Sequence, residues 1–498
     1  MRLQYAQEVV RGLDAGSNKR LEAYKSNLRS DKDRVVFDDR VLRELEPFVR
    51  DQADFQKTRA YLKGIGYTSS KYEYAQIQKA LLRFTEPEHP YFGWNEHYRR
   101  AKELMIREFQ RFDLQMLQYK ADSSIVDAIP REDTHAGFSF IITGKRKKGE
   151  YLDGIHAAYS LEEATAKRVG SFNKPILIGS RTQVSGAFDG ENDYEFTHTF
   201  KSKTRLVSMI DIYQILAELR FAKPLQAKLA SQGWYAGGKD DVMMNGVIQS
   251  LRHEKGFWLT LDYSAYDQSI SSWLIRDAFD IIRRAFYYDI RFDESLFDVV
   301  VNDFVNKVFI DGDGQLVPAS KGVPSGSMFT QIVDSIVNRL MLLTYFFHKG
   351  IPLNRTAMMI MGDDNIIFTS EKLDECDVSN YISHNFGITV NSDKAKCGDK
   401  TQNPEFLSRW WTPNGSWRHR RELMAKMLYP ERFRDYQKTP GPDPVLIVYA
   451  YILTYAAGMR ELIDVDRFKI SKLAYLRKAT KADLEWLPGY WRYRERYS

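Results

Sequence analysis

Cysteine is scarce in this chain of 498 residues, which contains only Cys376 and Cys397. Two cysteines exclude a disulfide framework and a zinc site with four thiolate ligands, and they fit a reducing compartment. Long apolar runs are also lacking, since the longest, at 340–347, is far shorter than the roughly 20 residues that span a bilayer. Residues 1–8 contain no apolar core of signal-peptide length. We therefore expect neither a membrane segment nor an export signal.

A strong excess of charge of one sign is likewise absent, because the net charge is only +6. Any attraction for nucleic acid must come from local clusters of lysine and arginine. One such cluster, Lys-Arg-Lys-Lys at 145–148, fits either a solvated loop or a contact with backbone phosphates. With 43% hydrophobic residues, a chain of this length can bury large cores in about three domains.

The most informative stretch is a pair of adjacent carboxylates, Asp363 and Asp364, between two short apolar runs. The runs have strand length, and Gly362 and Asn365 tolerate a tight reversal, so the pattern predicts a β-hairpin with acids at its tip. Because neighbouring carboxylates repel each other, a chain that fixes them at a turn usually supplies a cation, and Mg²⁺ is the natural candidate. Taken alone, the Gly-Asp-Asp triplet also fits a solvated turn.

A row of cations precedes this hairpin in the chain. Lys201, Lys203 and Arg205 recur at every second residue of the stretch 200–207, so an extended strand would place them on one face. Such a row suits a triphosphate or a nucleic-acid backbone. The alternative is an edge strand protected from aggregation by its charge.

Asp262 follows an aromatic and apolar strand at 257–261, and the chain then turns so that Asp267 can return near the same place. An acid at the end of a strand is well placed to bind a metal ion. A helix cap is the simpler explanation for Asp267.

A loop of small residues at 321–327 leads directly into a helical pattern at 328–348. Gly322 and Gly326 would let the backbone approach a ligand closely, and the helix start offers free N–H groups to an anion. On the helix, Thr330, Asp334 and Asn338 form one polar stripe. A polar stripe usually faces solvent, but the loop before it favours a role in binding.

The rest of the chain shows coarser patterns. Helical spacing extends to about residue 112, and a looser region of strands and loops follows it. Residues 271–309 form a mostly helical insert, and 405–411 resemble one strand whose adjacent aromatics require both faces to be covered. From about 418 onward the chain is helical and basic.

Together these features specify phosphoryl transfer with two metal ions. Asp262 on one strand and Asp363 with Asp364 on another are expected to bridge two Mg²⁺ ions roughly 3.5–4 Å apart. The ions would activate an attacking hydroxyl and steady a leaving pyrophosphate, while nearby cations offset the charge on the triphosphate.

The order of these motifs resembles that of viral RNA-dependent RNA polymerases. In sequence the motifs are Lys-x-Lys-x-Arg, Asp-x₄-Asp, Ser-Gly-x₃-Thr-x₃-Asp, Gly-Asp-Asp, a lysine and Phe-Leu-x-Arg, and the resemblance extends from about 134 to 411. Asp-Tyr-Ser-Ala-Tyr-Asp and Gly-Val-Pro-Ser-Gly-Ser are similar to picornavirus motifs. Asp-Ser-Ile-Val-Asn at 334–338 looks more like the polymerases of small double-stranded RNA viruses, the partitivirus and picobirnavirus group. Another palm polymerase, such as a reverse transcriptase, and a catalytically silent RNA-binding or capsid-associated protein are the alternatives.

The resemblance implies an α+β fold, a closed right hand of fingers, palm and thumb with an antiparallel palm sheet flanked by helices. It implies domains at 1–112 (bridging fingers and thumb), 113–250 (fingers), 251–417 (palm, with a fingers insert at about 271–320) and 418–498 (thumb and tail). The implied activity is replication and transcription of a viral RNA genome with two Mg²⁺ ions, for which Mn²⁺ substitutes. The implied partners are template and product RNA, ribonucleoside triphosphates and a viral capsid protein, in the virion interior and the host cytoplasm.

The resemblance also assigns roles to individual positions. Asp262, Asp363 and Asp364 match the catalytic metal ligands, and Lys394 matches a general acid toward pyrophosphate, with Lys396 as the competing assignment. The implied substrate-binding residues are Lys201, Lys203, Arg205, Asp267, Ser325, Gly326, Thr330, Asp334 and Asn338. The implied RNA-binding residues are Thr134, Gly137, Phe406, Leu407, Arg409 and Trp410.

Two positions carry further expectations. Asp334 departs from the picornavirus pattern, in which this helix position is usually asparagine. An ionised carboxylate accepts hydrogen bonds but cannot donate them, so its partnership with Asp267 in choosing the sugar should differ. At the C-terminus, the aromatic side chains of Trp491, Tyr493 and Tyr497 could support an initiating nucleotide by stacking, or the tail is simply solvated.

Overall fold

The computed structural model describes residues 2–30, 39–64, 73–129, 134–185, 201–287, 293–391 and 395–418, and short stretches at 423–424, 428, 463–464, 466–468 and 470–471. The predicted thumb at 418–498 and the C-terminal aromatic residues lie almost entirely outside this described part. Lys394 lies outside it as well.

Helices dominate the described part of the chain. They are α1 (Arg2–Arg11), α2 (Ala15–Arg29), α3 (Asp39–Leu45), α4 (Gln52–Gly64), α5 (Tyr74–Arg83), α6 (Glu96–Gln110), α7 (Asp122–Ala128), α8 (Ser139–Thr143), α9 (Ile155–Val169), α10 (Ile212–Ala230), α11 (Asp241–Lys255), α12 (Tyr266–Ser269), α13 (Ser272–Arg283), α14 (Glu294–Val305), α15 (Thr330–His348) and α16 (Glu375–Phe386). Short 3₁₀ turns occur at Glu46–Phe48, Lys148–Tyr151 and Leu353–Arg355. The helical character predicted up to residue 112 is confirmed where the structure describes it.

Within the described ranges, the strands form three sheets. The strands are β1 (Ile176–Ser185), β2 (Lys201–Met209), β3 (Phe257–Thr260), β4 (Lys307–Ile310), β5 (Leu316–Ala319), β6 (Thr356–Met361), β7 (Asp364–Thr369), β8 (Lys396–Asp399), β9 (Glu405–Phe406), β10 (Arg409–Thr412) and β11 (Gly415–Trp417). Sheet A has the order β6-β7-β3-β8, sheet B the order β2-β1-β4-β5, and sheet C the order β11-β10-β9. All the neighbours in sheet A are antiparallel.

The predicted hairpin with acids at its tip is confirmed in sheet A. Strands β6 and β7 pair in antiparallel register up to Met361 opposite Asp364, which leaves Gly362 and Asp363 as a two-residue turn. Gly362 has φ 67°, in the left-handed region that glycine adopts without steric cost. Asn365 belongs to β7 and not to the turn, so its predicted role in the reversal is wrong.

Helix α15 packs against α6, α13, α16 and β6 and is buried over most of its length. Its bounds, Thr330–His348, confirm the helix predicted at 328–348 to within two residues. Its polar stripe does not face solvent, because Asp334 is 3% exposed and Asn338 is fully buried. The buried stripe faces other polar groups of the protein, as described below.

Two predictions of local structure need correction. The region after residue 112 contains α7, α8 and α9 before its first strand, and the buried residues of α9 already have helical spacing. The single strand predicted at 405–411 is a hairpin, since Leu407 and Ser408 form a turn with φ 56° and 55° between β9 and β10. Neither residue is typical of a turn with positive φ at both positions, so no local signal in the sequence marks this turn.

The insert predicted as mostly helical at 271–309 is confirmed by α13 and α14. Its C-terminal end, at 307–309, belongs to β4.

By backbone contacts the chain divides into two units. The first comprises Met1–Ser30, Ala75–Gly179 and Leu206–Ser416, and the second comprises Asp31–Tyr74, Ser180–Arg205 and Trp417–Ser498. In the second unit, the Asp464 N–H donates to the Phe48 carbonyl over 2.8 Å, and the Phe48 ring meets Phe468 edge-on at 5.1 Å. The four predicted domain ranges divide the chain at other places and stay a prediction. Among the described residues, none of the helices has the length and apolar character that crossing a membrane requires.

The core behind sheet A depends on Trp411, whose side chain is fully buried. It belongs to a cluster with Trp258, Phe368 and Phe406, and its indole N–H donates to the Phe406 carbonyl over 2.9 Å. Its neighbour Trp410 is also buried, as the adjacency of the two aromatics predicts.

Replacing Trp411 by alanine should lower the free energy of unfolding by about 3–5 kcal/mol, because it removes a large buried side chain and leaves a cavity. Denaturant titration followed by circular dichroism measures the change. Trp94→Ala is the matched control, since Trp94 is 69% exposed, and it should change the free energy by less than about 0.5 kcal/mol. Equal losses in the two variants would contradict this account of the core.

Candidate active site

Asp262 and the hairpin tip are brought to one edge of sheet A by the pairing of β3 with β7. The register of the two strands places Leu259 opposite Ile367, and the antiparallel pairing continues toward Leu261 and Asn365. Asn365 secures this continuation with its side chain: its Oδ1 accepts the Leu261 N–H over 3.1 Å, and its Nδ2 lies 3.4 Å from the Leu261 carbonyl. Asp262 follows Leu261, and Asp364 precedes Asn365. The backbones of the two acids therefore lie side by side.

Helix α15 fixes the turn that carries Asp363. The Nδ2 of Asn338 donates to the carbonyls of Gly362 and Asp363 over 3.0 and 3.2 Å, and the Ser335 hydroxyl accepts the Gly362 N–H over 2.8 Å. The Oδ1 of Asn338 accepts the Tyr263 hydroxyl over 3.0 Å. One fully buried amide thus joins the hairpin tip to the residue after Asp262. These contacts position the site, and the predicted binding of substrate by Asn338 stays a prediction.

A third segment supports Asp262 from its other side. The Asn391 N–H donates to the Asp262 carbonyl over 2.7 Å, and the Ser264 N–H donates to the Thr389 carbonyl over 2.9 Å. Neither Ser335 nor Asn391 was predicted to lie at the site, and Asn365 was predicted only as a residue of the turn. Of the first two, Ser335 carried a signal in the sequence, because it lies within one turn of Asp334 on the same helix.

The three acids have the chemistry of a site for a hard divalent ion. Carboxylate oxygens are the ligands that Mg²⁺ prefers. Asp363 and Asp364 are exposed and Asp262 is half-buried, so all three side chains are accessible from solvent. The donor set therefore fits the predicted ions. Within the described residues, however, no three His, Cys, Asp or Glu side chains are gathered as a metal cluster. The assignment of these acids as ligands stays a prediction.

The turn at Asp267 adjoins the start of the loop at 322–327. The Val323 N–H donates to the Asp267 carbonyl over 2.6 Å, and the Gly322 N–H donates to the Ile270 carbonyl over 2.8 Å. Asp267 lies in the first turn of α12 and is half-buried. The structure thus brings together two segments that the sequence predicts to contact one nucleotide.

The loop itself packs on strand β2. The Ser325 hydroxyl accepts the Ser208 N–H over 3.1 Å, and a Cβ at Gly326 would lie 1.9 Å from the Ser208 carbonyl oxygen. Gly326 is therefore required for close approach to the protein's own backbone, and its predicted approach to a ligand stays a prediction. The Thr330 hydroxyl lies 2.7 Å from the Pro324 carbonyl and 2.9 Å from that of Ser327, so it stabilises the same loop.

Asp334 lies buried between the other acids of the site. Its carbonyl accepts the Tyr266 hydroxyl over 3.0 Å, while its Oδ1 is buried without a hydrogen-bond partner. Burial, with repulsion from Asp267 and Asp363, raises the pKa of Asp334 well above its ordinary value. Burial and repulsion thus disfavour the ionised form that the sequence analysis expects at this position. A neutral carboxylic acid can donate a hydrogen bond, as asparagine can.

The predicted phosphate-binding cations are only partly described. The strand predicted around them is confirmed as β2, in which Arg205 is exposed, but the side chains of Lys201 and Lys203 lie outside the described part. Lys396 forms an ion pair with Glu405 and lies over the Trp410 ring at 4.6 Å. The choice between Lys394 and Lys396 as general acid stays open.

The predicted RNA-binding residues fall in two places. Thr134 and Gly137 lie beside the basic run 145–148, where the Lys148 N–H donates to the Thr134 carbonyl over 2.9 Å. In this run Lys148 is buried and the three preceding cations are exposed. His135 accepts the Gly137 N–H through its Nδ1, and burial lowers its pKa to about 4, so it is neutral and structural.

The second place is the β9-β10 hairpin. Phe406 and Trp410 are buried, Leu407 occupies the turn, and Arg409 forms an ion pair with Asp241. The hairpin is therefore well fixed. Its contact with RNA stays a prediction.

The chain is similar in sequence to known viral polymerases. The sequence profile of the family described as viral RNA-dependent RNA polymerase matches residues 49–433. The RNA-directed RNA polymerase of Cryptosporidium parvum virus 1 is 23% identical over 269 residues, which cover 53% of this chain and 48% of that protein. The RNA-directed RNA polymerase of Atkinsonella hypoxylon virus is 32% identical over 136 residues, covering 25% of this chain and 20% of that protein. The matched part thus spans about half of one curated relative and a fifth of the other.

The fold is shared with a solved polymerase structure. The crystal structure of the RNA-dependent RNA polymerase of a human picobirnavirus superimposes with a TM-score of 0.63 and 15% sequence identity, covering 94% of this chain and 89% of that one. The predicted α+β polymerase fold is confirmed. The predicted likeness to double-stranded RNA virus polymerases is confirmed as well.

The buried acid at Asp334 gives a prediction for the metal-free protein. An unfolded aspartate titrates near pH 3.9, whereas folding raises the pKa of Asp334, so ionisation at higher pH costs free energy in the folded state alone. Asp334→Asn removes that cost. We expect it to raise the free energy of unfolding by an amount that grows above about pH 4, by at most about 1.4 kcal/mol per pH unit, and levels off beyond the folded-state pKa.

Urea titrations between pH 5 and pH 9 measure this difference. Asp153→Asn is the control, because Asp153 is exposed, and it should show no such growth with pH. If the free energy of unfolding of Asp334→Asn differed from that of the unchanged protein by the same amount at every pH, the result would contradict the raised pKa.

Proposed function

The chain belongs to the viral RNA-dependent RNA polymerase family, and we propose that it copies RNA, replicating and transcribing a viral RNA genome from ribonucleoside triphosphates. The observation that carries this proposal is the pairing of β3 with β7. Through Asn365 and Asn338 it sets Asp262 beside the hairpin that bears Asp363 and Asp364. A simple solvated turn would not need the buried side chains of Asn365 and Asn338 to connect it to a strand about one hundred residues earlier in the chain.

Asp262, Asp363 and Asp364 would hold two Mg²⁺ ions, for which Mn²⁺ substitutes, because their carboxylates form an accessible set of hard oxygen ligands. Bound ions would supply a lowered pKa for the attacking 3′-hydroxyl and positive charge beside the leaving pyrophosphate. The protein's own contribution is to fix the acids. The hydrogen bonds from Asn338 and Ser335 hold the turn before any ion binds, so the site is preorganised.

The remaining residues would bind and orient the nucleotide. Asp267 would accept a hydrogen bond from the ribose 2′-hydroxyl, and the main-chain bonds between its turn and the loop at 322–327 support this placement. Asp334 in its neutral form could donate within the same site. Lys201, Lys203 and Arg205 would neutralise the triphosphate, and Lys394 or Lys396 would return a proton to the pyrophosphate.

The RNA would contact the β9-β10 hairpin and the segment at 134–137. This hairpin can support a primer end rigidly, because the buried side chains of Phe406, Trp410 and Trp411 anchor its strands in the core. Leu407 lies in the turn between these strands. We further propose that a viral capsid protein is a partner, and that the enzyme works in the virion interior and the host cytoplasm.

The direct test is RNA synthesis on a short RNA template with four ribonucleotides and Mg²⁺. The unchanged protein should yield product of template length, and a chelator of divalent ions should abolish it. Asp363→Ala should lower the rate at least about a hundredfold, since loss of a metal ligand removes several kcal/mol of transition-state stabilisation, while RNA binding stays intact. The exposed control Asp153→Ala should keep full activity.

Two results would refute the proposal. Product formed from deoxyribonucleotides in place of ribonucleotides would indicate a reverse transcriptase. Unchanged synthesis in Asp363→Ala would show that the hairpin tip is not catalytic.

The role of Asp267 in sugar choice gives a separate prediction. Asp267→Ala should lower the preference for ribonucleotides over deoxyribonucleotides about tenfold or more, because one hydrogen bond between a charged group and the substrate contributes about 1.5–3 kcal/mol. Competing single-nucleotide incorporations measure the ratio of kcat/KM values. The neighbouring substitution Gln268→Ala should leave this ratio unchanged. An equal ratio in Asp267→Ala and the unchanged protein would exclude the role.

A further inference from the structure

A fully buried carboxylate holds the loop that follows Ser325 and Gly326. Glu218 lies on α10 and is 0% exposed. Its Oε2 accepts the Ser327 hydroxyl and the Met328 N–H, each over 2.8 Å, and its Oε1 accepts the Gln214 side-chain N–H over 3.0 Å. Every described hydrogen bond of this carboxylate thus goes to the loop or to its own helix.

The same stretch of chain holds the loop at a second point. Ser208 near the end of β2 donates its N–H to the Ser325 hydroxyl, and its carbonyl occupies the space beside Gly326. Asp211, two residues after the end of β2, caps α10 by accepting the Tyr213 N–H over 3.2 Å. Ser208 and Glu218 therefore belong to one continuous strand and helix, which contacts the loop at 325–326 and again at 327–328.

The attachment by Glu218 differs in kind from the attachment by Ser208. Ser208 contacts the loop through backbone groups, which any residue at that position would supply. Glu218 acts through its side chain, and a buried carboxylate costs free energy unless its oxygens are hydrogen-bonded. The Ser327 hydroxyl and the Met328 N–H satisfy one oxygen together, so loop and carboxylate depend on each other.

The opposite end of this loop contacts the turn of Asp267 through Val323. The loop is therefore held between the residue proposed to recognise the ribose and the buried Glu218. A substitution of Glu218 can therefore alter the nucleotide site through the loop, without removing any residue that is proposed to contact the nucleotide.

We propose that Glu218 is a positioning residue, which fixes the loop at 325–328 in the form that receives the ribonucleotide; this role rests on the proposed polymerase function. It acts through Ser327 and Met328 and contacts neither substrate nor metal ion.

The proposed role depends on pH. Burial raises the pKa of Glu218 to about 7, although the hydrogen bonds from Met328, Ser327 and Gln214 and the charge of Lys148 act in the opposite direction. Two cations face it, Lys148 from the 3₁₀ turn at Lys148–Tyr151 and Arg2 from α1. Above this pKa the carboxylate accepts from both loop donors. Below it, a proton occupies one acceptor site, so the loop should be held less firmly as the pH falls.

Glu218→Gln tests the proposal, because glutamine has nearly the same shape as the protonated acid. At pH 8.5 the KM for the incoming ribonucleotide should be about fivefold higher in this variant, since hydrogen bonds to a charged acceptor are roughly twice as strong as neutral ones. At pH 6.0 the two proteins should have nearly equal KM values, because the unchanged protein is then largely protonated. The kcat at saturating nucleotide should change less than KM.

Glu163→Gln is the matched control. Glu163 forms an ion pair with Arg220, which is also on α10, and its side chain is 15% exposed. The control therefore removes a carboxylate that supports the same helix without contacting the loop. It should change thermal stability but leave the KM and its pH dependence as in the unchanged protein.

Hydrogen exchange at the Met328 amide provides a readout that needs no catalysis. Exchange at this amide should be faster in Glu218→Gln than in the unchanged protein or in Glu163→Gln at pH 8.5. Equal exchange in the three proteins, or a KM ratio that is the same at both pH values, would overturn the proposal. If exchange at Met328 were faster in Glu218→Gln but the unchanged protein made no RNA, the polymerase function would be refuted. The attachment of the loop to Glu218 would still stand.

Discussion

The antiparallel register of β3 and β7 is the constraint on which the candidate site depends. A shift of one residue would send every side chain of a strand to the opposite face of the sheet, so the register decides which acids can meet at the edge. Asn365 fixes it, because a buried amide bonded to both backbone groups of Leu261 has no equivalent partner one residue away. Asp262 and the hairpin acids are close in space for this reason, although about one hundred residues separate them in the chain.

Buried polar side chains of α15 extend this constraint to the surrounding segments. Ser335 and Asn338 hold the hairpin tip, and the Asp334 carbonyl accepts the Tyr266 hydroxyl next to Asp267. Each buried polar group must find a partner or lose free energy, so such a network specifies one arrangement. The Asp334 carboxyl is an exception, since one of its oxygens has no hydrogen-bond partner. Burial and the neighbouring acids raise its pKa, and a neutral acid at this position would lower the repulsion among the acids of the site.

The sequence predicted the strands and the helix around the acids better than the contacts that position them. The hairpin, the strand before Asp262 and the long helix follow from apolar periodicity and turn residues, which are local signals. Asn365, Ser335 and Glu218 act through partners distant in the chain, and a single sequence does not show such pairings. The turn at Leu407 and Ser408 was missed because both residues adopt a backbone conformation more common for glycine and asparagine. The packing of Gly326 against Ser208 could not be predicted either, because Ser208 lies far upstream in the chain.

A crystal structure of the protein with RNA, a ribonucleotide and Mn²⁺, located by anomalous scattering, tests the central claim most directly. We expect two ions roughly 3.5–4 Å apart, bridged by oxygens of Asp262 and Asp363. Carboxylates of Asp262 and Asp363 more than about 10 Å apart in that complex could not share ions so closely spaced, and this result would contradict the account.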